Sequence, residues 1–264
     1  MPGLAGRQPA GLIVRFDIAV VVLQNPDYVR KGEYSQVLRN MSGLRMSARA
    51  DTSAPARPDR RAARRQQSKD EIVAAAWDLV REHGLAGLAM RDLGDRVGMR
   101  AQSIYSYFAS KHEIYDAMFH QGYLAFAAAI AEVKSADTDR AGSVDQSADA
   151  LHLMAHRFFE FCISDPVRYQ LLFQRTIPEF VPSDASYAVA VEAYHEMNDG
   201  LAAIGITDPQ AVDLWTALLT GLSDQQISND PGGDRWERLI DRAVAMFLHD
   251  NNINSSAPTQ KGNR

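Results

Sequence analysis

The segment Arg91-Asp92-Leu93-Gly94-Asp95-Arg96-Val97-Gly98-Met99-Arg100-Ala101-Gln102-Ser103-Ile104-Tyr105-Ser106-Tyr107-Phe108 constrains the fold of this chain more than any other. Leu88, Met90, Leu93 and Val97 recur at the spacing of a short amphipathic helix. Gly98 is placed to close it, since glycine enters the left-handed conformation of a helix C-terminus without a Cβ clash. Ala101 to Phe108 predicts a second short helix after a tight turn. Ser110-Lys111-His112-Glu113 reads as a capping box, opening a long helix that turns Ile114, Met118, Phe119 and Leu124 inward. Upstream, Ser68-Lys69-Asp70-Glu71 reads as another capping box. Ile72, Ala76, Leu79, Val80 and His83 follow it at helical spacing, and Gly84 is placed to end that helix.

The pattern stays helical to the end. Lys134 to Asp145 is polar and unpatterned and predicts a loop. Leu151, Met154, Phe158, Phe161 and Cys162 mark a helix that stops at Asp165-Pro166, where the proline starts another through Arg175. Ser183 is placed to cap a helix to about Ile204, closed by Gly205. Asp208-Pro209 opens the next, with Val212, Trp215, Leu218, Leu219 and Leu222 on one face. Asn229 to Gly233 is a turn, and Trp236, Leu239, Ile240, Val244 and Phe247 define the last helix. With no internal repeat, and no strand pattern beyond the lone run Ile18 to Leu23, the expected class is all-α.

Residues 1–67 read as a disordered extension with a basic arm, and 251–264 as a disordered tail. Between them, 68–119 reads as one domain and 120–250 as another. Internal methionines at Met41 and Met46 raise the hypothesis that translation starts at one of them; an intact mass of the natively expressed protein equal to that of the full chain would rule it out. Cys162 is the single cysteine, so neither an internal disulfide nor a thiolate metal site is expected; it reads as a small buried hydrophobe in a reducing compartment. The apolar run Ala10 to Leu23 is broken by Arg15 and Asp17 and is too short to span a bilayer. The expected location is the cytoplasm.

Net charge is −5, but it is unevenly spread. Residues 57–123 carry 11 basic and 9 acidic groups, whereas residues 124–264 carry 10 basic and 20 acidic ones. The densest basic run, Arg57 to Lys69, holds six basic residues against Asp59 alone and stands at the start of the segment 68–119. A DNA-binding chain needs only its contact face to be positive. Two short helices across a tight turn form a helix-turn-helix, whose second helix enters the major groove while the first braces on the backbone. Leu93, Val97 and Ile104 would fix the angle between them, and Ile72, Leu79 and Phe108 would pack them on the first long helix. Gln102, Ser103, Ser106, Tyr105 and Tyr107 are left to face outward. Glutamine pairs bidentately with adenine, and serine meets most bases. Tyrosine hydroxyls and Lys111 at a helix start suit phosphate oxygens.

The run Ile-Tyr-Ser-Tyr-Phe-Ala-Ser-Lys at 104–111, with Gly98-Met99 and His83-Gly84 before it, resembles the DNA-binding domain of the tetracycline-repressor (TetR) family over residues 68–119. The resemblance implies an all-α homodimer. Three N-terminal helices would bind DNA, and a C-terminal domain would hold a small-molecule pocket and dimerise through its last two helices. It assigns Tyr105, Tyr107 and Lys111 to phosphate- and base-contacting positions, and Gln102 and Ser103 to variable base-reading ones. Two positions depart from the family. Ala89 stands where Thr or Ser usually caps the second helix, a loss of about 1 kcal/mol. Arg100 stands where Ser is frequent, and an arginine there replaces a phosphate contact or reads guanine. Residues 165–173, with Trp215 and Gly221, are similar to one subgroup of the family's regulatory domains.

Several features carry two readings. Arg57 to Lys69 is either a phosphate-seeking arm or a solvated run. His152 and His156, four apart on one helical face, are a metal pair or core and pocket-lining histidines; no partner at metal-ligand spacing accompanies them, so no metal and no cofactor are expected. Phe158, Phe161, Phe173, Tyr194 and Met197 line an apolar cavity or fill a core. Trp215, Leu218, Leu222, Trp236, Ile240, Val244 and Phe247 exceed what one core needs and are assigned to a four-helix dimer seam. The expected function is a ligand-responsive, operator-binding transcription regulator, a repressor released by a small apolar effector. The partners are duplex DNA, the effector and a second copy. The rivals are an all-α enzyme, for which no phosphate loop or nucleophile elbow is visible, and an interaction adaptor without DNA binding.

Overall fold

The computed structural model describes residues 60–138 and 144–253. The expectations for residues 1–59, including the strand-like run, the alternative starts and Arg57, lie outside them, as do those for residues 254–264. Among the described residues there are nine α-helices and no strand: α1 (Arg60–His83), α2 (Met90–Val97), α3 (Ala101–Ile104), α4 (Lys111–Thr138), α5 (Val144–Ser164), α6 (Pro166–Phe173), α7 (Asp184–Ala203), α8 (Pro209–Asn229) and α9 (Ile240–Asp250). The all-α expectation holds. The chain divides into two compact units, residues 60–120 with 174–190, and residues 121–173 with 191–253. Residues 174–190 therefore join the first unit, not the C-terminal domain to which the sequence pattern assigned them.

Helix α1 begins eight residues before the expected cap at Ser68. Arg, Ala and Gln fill its first two turns, all strong helix formers. Gln66 donates to Asp70 at 2.8 Å and Gln67 to Glu71 at 3.0 Å, the i,i+4 pairing that supports a helix across Ser68. Glu71 is thus drawn back along the helix and does not close a capping box. The inward face is Ile72, Val73, Ala76, Trp77, Leu79 and Val80, while His83 is exposed. Gly84 ends α1 at φ 74°, ψ 167°, a positive-φ region open to glycine.

The capping box at Ser110 forms with a shift of one residue. Glu113 N–H donates to Ser110 Oγ at 3.2 Å, and the Glu113 carboxylate accepts from Ala109 N–H at 2.8 Å. Ile114, Met118 and Phe119 are buried in α4, but Leu124 is 51% exposed, against expectation. Helices α4 and α5 consume most of the loop predicted for 134–145, leaving only residues 139–143 between them. Alanine and lysine there sustain a helix that polarity alone did not signal.

In the first unit, Phe180 packs edge-on against Tyr115 and Phe119, at 5.9 and 6.2 Å between ring centroids. Asp116 on α4 accepts from Ser183 N–H at 2.7 Å and from Ser183 Oγ at 2.8 Å, and Ser183 Oγ in turn accepts from Ser186 N–H at the start of α7.

In the second unit, Tyr123, Phe126, Phe158, Phe161, Tyr169 and Phe173 form one ring cluster with centroids 5.2–5.9 Å apart. Asp165 caps α6 by accepting from Arg168 N–H, and Asp208 caps α8 through Gln210 N–H, with Pro209 at the first helical position. The α8–α9 connection is organised by buried Gln226. It donates to the carbonyls of Asp230 and Gly233 and accepts from Trp236 N–H. Burial raises the proton affinity of the Tyr123 phenol and the Cys162 thiol; Cys162 is a fully buried small apolar residue, as expected.

Candidate nucleic-acid interface

Helices α2 and α3 meet across a turn set by two glycines. Gly98 adopts the left-handed conformation at φ 67°, ψ 27°, as its position predicts. Gly94, which the sequence reading did not single out, makes the close approach. A Cβ there would lie 2.6 Å from the Met99 carbonyl oxygen and 3.1 Å from the Ala101 nitrogen. The Gly94 carbonyl accepts from Met99 N–H at 2.9 Å and from Gly98 N–H. A small residue four positions before a helix-closing glycine was the available signal. Ala89 starts α2 without a side-chain cap, as its methyl dictates.

The predicted helix Ala101–Phe108 is shorter than expected. The α-helix proper covers Ala101–Ile104. It continues as tight turns, with Ser106 N–H donating to Ser103 O, and Tyr107 N–H and Phe108 N–H to Ile104 O. Ser106 Oγ also donates to Ser103 O at 2.7 Å, a local bond that competes with the α pattern. The segment is anchored by Ile104, fully buried, and Phe108, 4% exposed.

Arg100, Gln102, Ser103, Ser106 and Tyr105 are exposed, Tyr105 to 46%, and Tyr107 and Lys111 are half-buried. The structure thus brings all seven nominated residues onto one continuous stretch, at its surface. Polar amide, hydroxyl and guanidinium groups stand on the α3 end, with phenols and an ammonium beyond. Lys111 Nζ lies over the Tyr115 ring at 5.6 Å, and Tyr115 donates to the Leu85 carbonyl. Burial pushes the Tyr115 phenol up to about 12.

Electrostatics fix the frame. Arg96 on α2 reaches Glu82 on α1 through two parallel bonds of 2.8 and 2.7 Å, which hold the Glu82 carboxyl below its usual range. This pair tethers α2 to α1. Two cations of the basic run Arg57 to Lys69, read from the sequence as a phosphate-seeking arm or a solvated run, reach the 101–108 segment. Arg65 lies over the Tyr107 ring at 5.0 Å and donates to the Ser106 carbonyl at 2.5 Å, and Lys69 lies over the Phe108 ring at 5.2 Å. The only signal was their i,i+4 spacing within the basic run.

The residues nominated for an effector separate into groups. His152 Nδ1 and His156 Nε2 on α5 meet one oxygen of Asp241 on α9, at 3.0 and 2.8 Å. They link two helices at a partly exposed seam; among the described residues no group of three or more His, Cys, Asp or Glu is arranged to hold a metal ion. Phe158 and Phe173 touch within the ring cluster at 5.5 Å. Tyr194 is buried beside His195, and Met197 is half-buried, one turn on in α7.

The residues nominated for the dimer seam divide by burial. Trp215, Ile240 and Val244 are fully buried and Phe247 is 6% exposed; Trp215 stacks on Phe247 at 5.0 Å, inside the protomer. The strongest apolar stripes of α8 and α9 are taken up by packing on α5. Leu218, Leu222 and Trp236 are half-buried. What remains outward is Leu214, 58% exposed, and Met246, 63% exposed. They border an open groove of about 640 Å³ lined also by Leu218, Arg242, Ala243 and Phe247.

Residues 72–118 match the family described as bacterial regulatory proteins, tetR family. The HTH-type transcriptional regulator Rv1816 of Mycobacterium tuberculosis is 25% identical over 148 residues, 54% of this chain and 61% of that protein. The chain thus spans about three fifths of that relative. The HTH-type transcriptional activator FasR of Mycolicibacterium smegmatis is 26% identical over 156 residues, 58% of this chain and 68% of its own length. The fatty acid degradation regulator FadR of Bacillus halodurans shares the fold, with a TM-score of 0.52 over 75% of this chain and 97% of its own, at 17% identity. Among the described residues no helix is long and apolar enough to cross a membrane.

Proposed function

We propose, for a chain that belongs through residues 72–118 to the tetR family of bacterial regulatory proteins, a homodimeric transcription regulator that reads operator DNA and answers to a small molecule. The observation that carries this reading is the surface row Arg100, Gln102, Ser103 and Ser106, set on the buried anchors Ile104 and Phe108. A rigid segment of that length enters the major groove, with its amide and hydroxyls at base edges. Tyr105, Tyr107 and Lys111 meet phosphates on either side and set the register.

Two such segments about 34 Å apart reach successive major grooves of a partly palindromic site. A second copy of the chain supplies the other segment, seated on the outward face of α8 and α9 at Leu214 and Met246. An exposed apolar groove bounded by Arg242 suits a self-complementary two-fold contact. The effector is small and largely apolar, and it enters by parting the rings of Phe126, Phe158 and Phe173, which are buried against one another. Effector binding favours a dimer whose reading segments are wrongly spaced. It does so only by having different affinities for the two states. The site of action is the cytoplasm, the role is regulatory and not enzymatic, and the direction is repression.

A mobility shift of the full chain on the DNA upstream of its own gene tests this. Retardation at low salt that weakens as salt rises is expected. Absence of any shift at low salt would instead favour an adaptor that binds protein partners.

A further inference from the structure

Helix α1 extends three turns beyond the start of the family match at Ile72, and that extension touches the reading segment. Arg65 and Lys69, one turn apart on α1, lie over two consecutive rings, Tyr107 at 5.0 Å and Phe108 at 5.2 Å. Arg65 also donates through Nη2 to the Ser106 carbonyl at 2.5 Å. Ser106 and Tyr107 sit where the α-helix has already ended, and each is held by an i→i+3 bond, weaker than an α-helical one; only Phe108 keeps an i→i+4 bond, to the Ile104 carbonyl. The last carbonyls of such a segment need an outside donor, and a cation satisfies them best. A guanidinium donates to the carbonyl while lying over the ring, a combination an ammonium cannot reproduce.

We propose that Arg65, backed by Lys69, is a positioning residue for DNA reading: it clamps the C-terminal turn of the segment and so fixes the register in which Gln102 and Ser103 meet base edges. This rests on the DNA-reading assignment above and adds residues that lie outside the matched domain. Arg65 itself is solvent-exposed on α1, so its removal leaves the buried anchors Ile104 and Phe108 in place.

The test uses the full chain as wild type, Arg65→Ala and Arg65→Lys. Amide hydrogen exchange of the free protein is followed over residues 101–108, and affinity is measured across salt for a selected operator and for a mixed-sequence duplex. Loss of one charge-assisted bond and one cation–π contact predicts exchange about tenfold faster over Ser106 to Phe108 in Arg65→Ala. Operator affinity falls about tenfold in both variants. Arg65→Lys keeps the charge, so its salt slope and its mixed-sequence affinity stay at the wild-type values. Unchanged exchange in Arg65→Ala overturns the clamp. Equal losses on both duplexes with a flatter slope in Arg65→Ala, restored by Arg65→Lys, overturn it in favour of a plain phosphate contact. A wild-type chain that binds neither duplex instead sinks the DNA-reading assignment, while the exchange result still decides whether the clamp exists.

Discussion

The first unit and the second are both helical, yet only the first is shaped mainly by local sequence. Around α2 and α3, a glycine four residues into one helix and another at its end dictate a close turn. The side chains between Arg100 and Lys111 then have little choice of direction. In the second unit, α8 and α9 carry apolar residues on more than one side, and neighbours decide which side turns inward. Both helices pack on α5; Trp215, Ile240, Val244 and Phe247 are buried, and Leu214 and Met246 stay outside. A short motif is read from its own spacing; a bundle face is read only against its partners.

The sharpest way to break that contrast is in the ring cluster. Phe173 touches Tyr123, Phe126, Phe158 and Tyr169. As a packed core residue, Phe173→Ala is expected to cost about 3–5 kcal/mol by chemical denaturation. A cost under about 1 kcal/mol would show that the cluster lines a preformed cavity. The next effect concerns the outward face of α8 and α9. Leu214→Asp with Met246→Asp is expected to give a monomer in sedimentation and to weaken operator binding about a hundredfold, because the second reading segment is no longer tethered. A dimer that survives both changes moves the interface elsewhere.

The first unit is probed by Gly94→Ala. Its new methyl meets the Met99 carbonyl at 2.6 Å, so α2 and α3 must separate, at about 1–3 kcal/mol. Exchange should rise over residues 94–108 and stay unchanged in the second unit. Unaltered stability and exchange would mean the turn absorbs a Cβ freely. The smallest effect belongs to the α5–α9 seam. Hydrogen bonds from His156 and then His152 hold the Asp241 carboxyl below its usual range. A lowered carboxylate contributes stability above its unfolded pKa, and that contribution is lost as pH falls through the folded value. Asp241 is largely exposed, so Asp241→Asn costs under about 1 kcal/mol near neutrality. The difference from wild type vanishes in acid; one that persisted there would assign the seam to packing.

The helix order, the glycine turn and the outward placement of residues between Arg100 and Lys111 are legible in the sequence, because each rests on neighbours within a turn or two. It placed the start of α1 at Ser68, since a serine followed by a glutamate looks the same at a cap and inside a helix. Only Gln66–Asp70 and Gln67–Glu71 show which it is. Gly94 went unread because an approach to Met99 is a tertiary fact. Arg65 and Lys69 were legible only as part of a basic run, because charge density alone does not say which ring a cation covers. His152 and His156 were seen as a pair, but their partner Asp241 lies 85 residues beyond His156 and belongs to no local pattern.

The claim on which the rest depends is that Ala101–Phe108 reads bases. Selection of bound duplexes from a random pool, run in parallel with the wild-type chain and Gln102→Ala, tests it most directly. The account predicts that wild type enriches a two-fold symmetric site with half-sites about 10 base pairs, or a multiple, apart. Gln102→Ala should relax one position in each half-site by about 1–3 kcal/mol. Enrichment of no sequence, or of the same sequence with the same preference in both proteins, would contradict it.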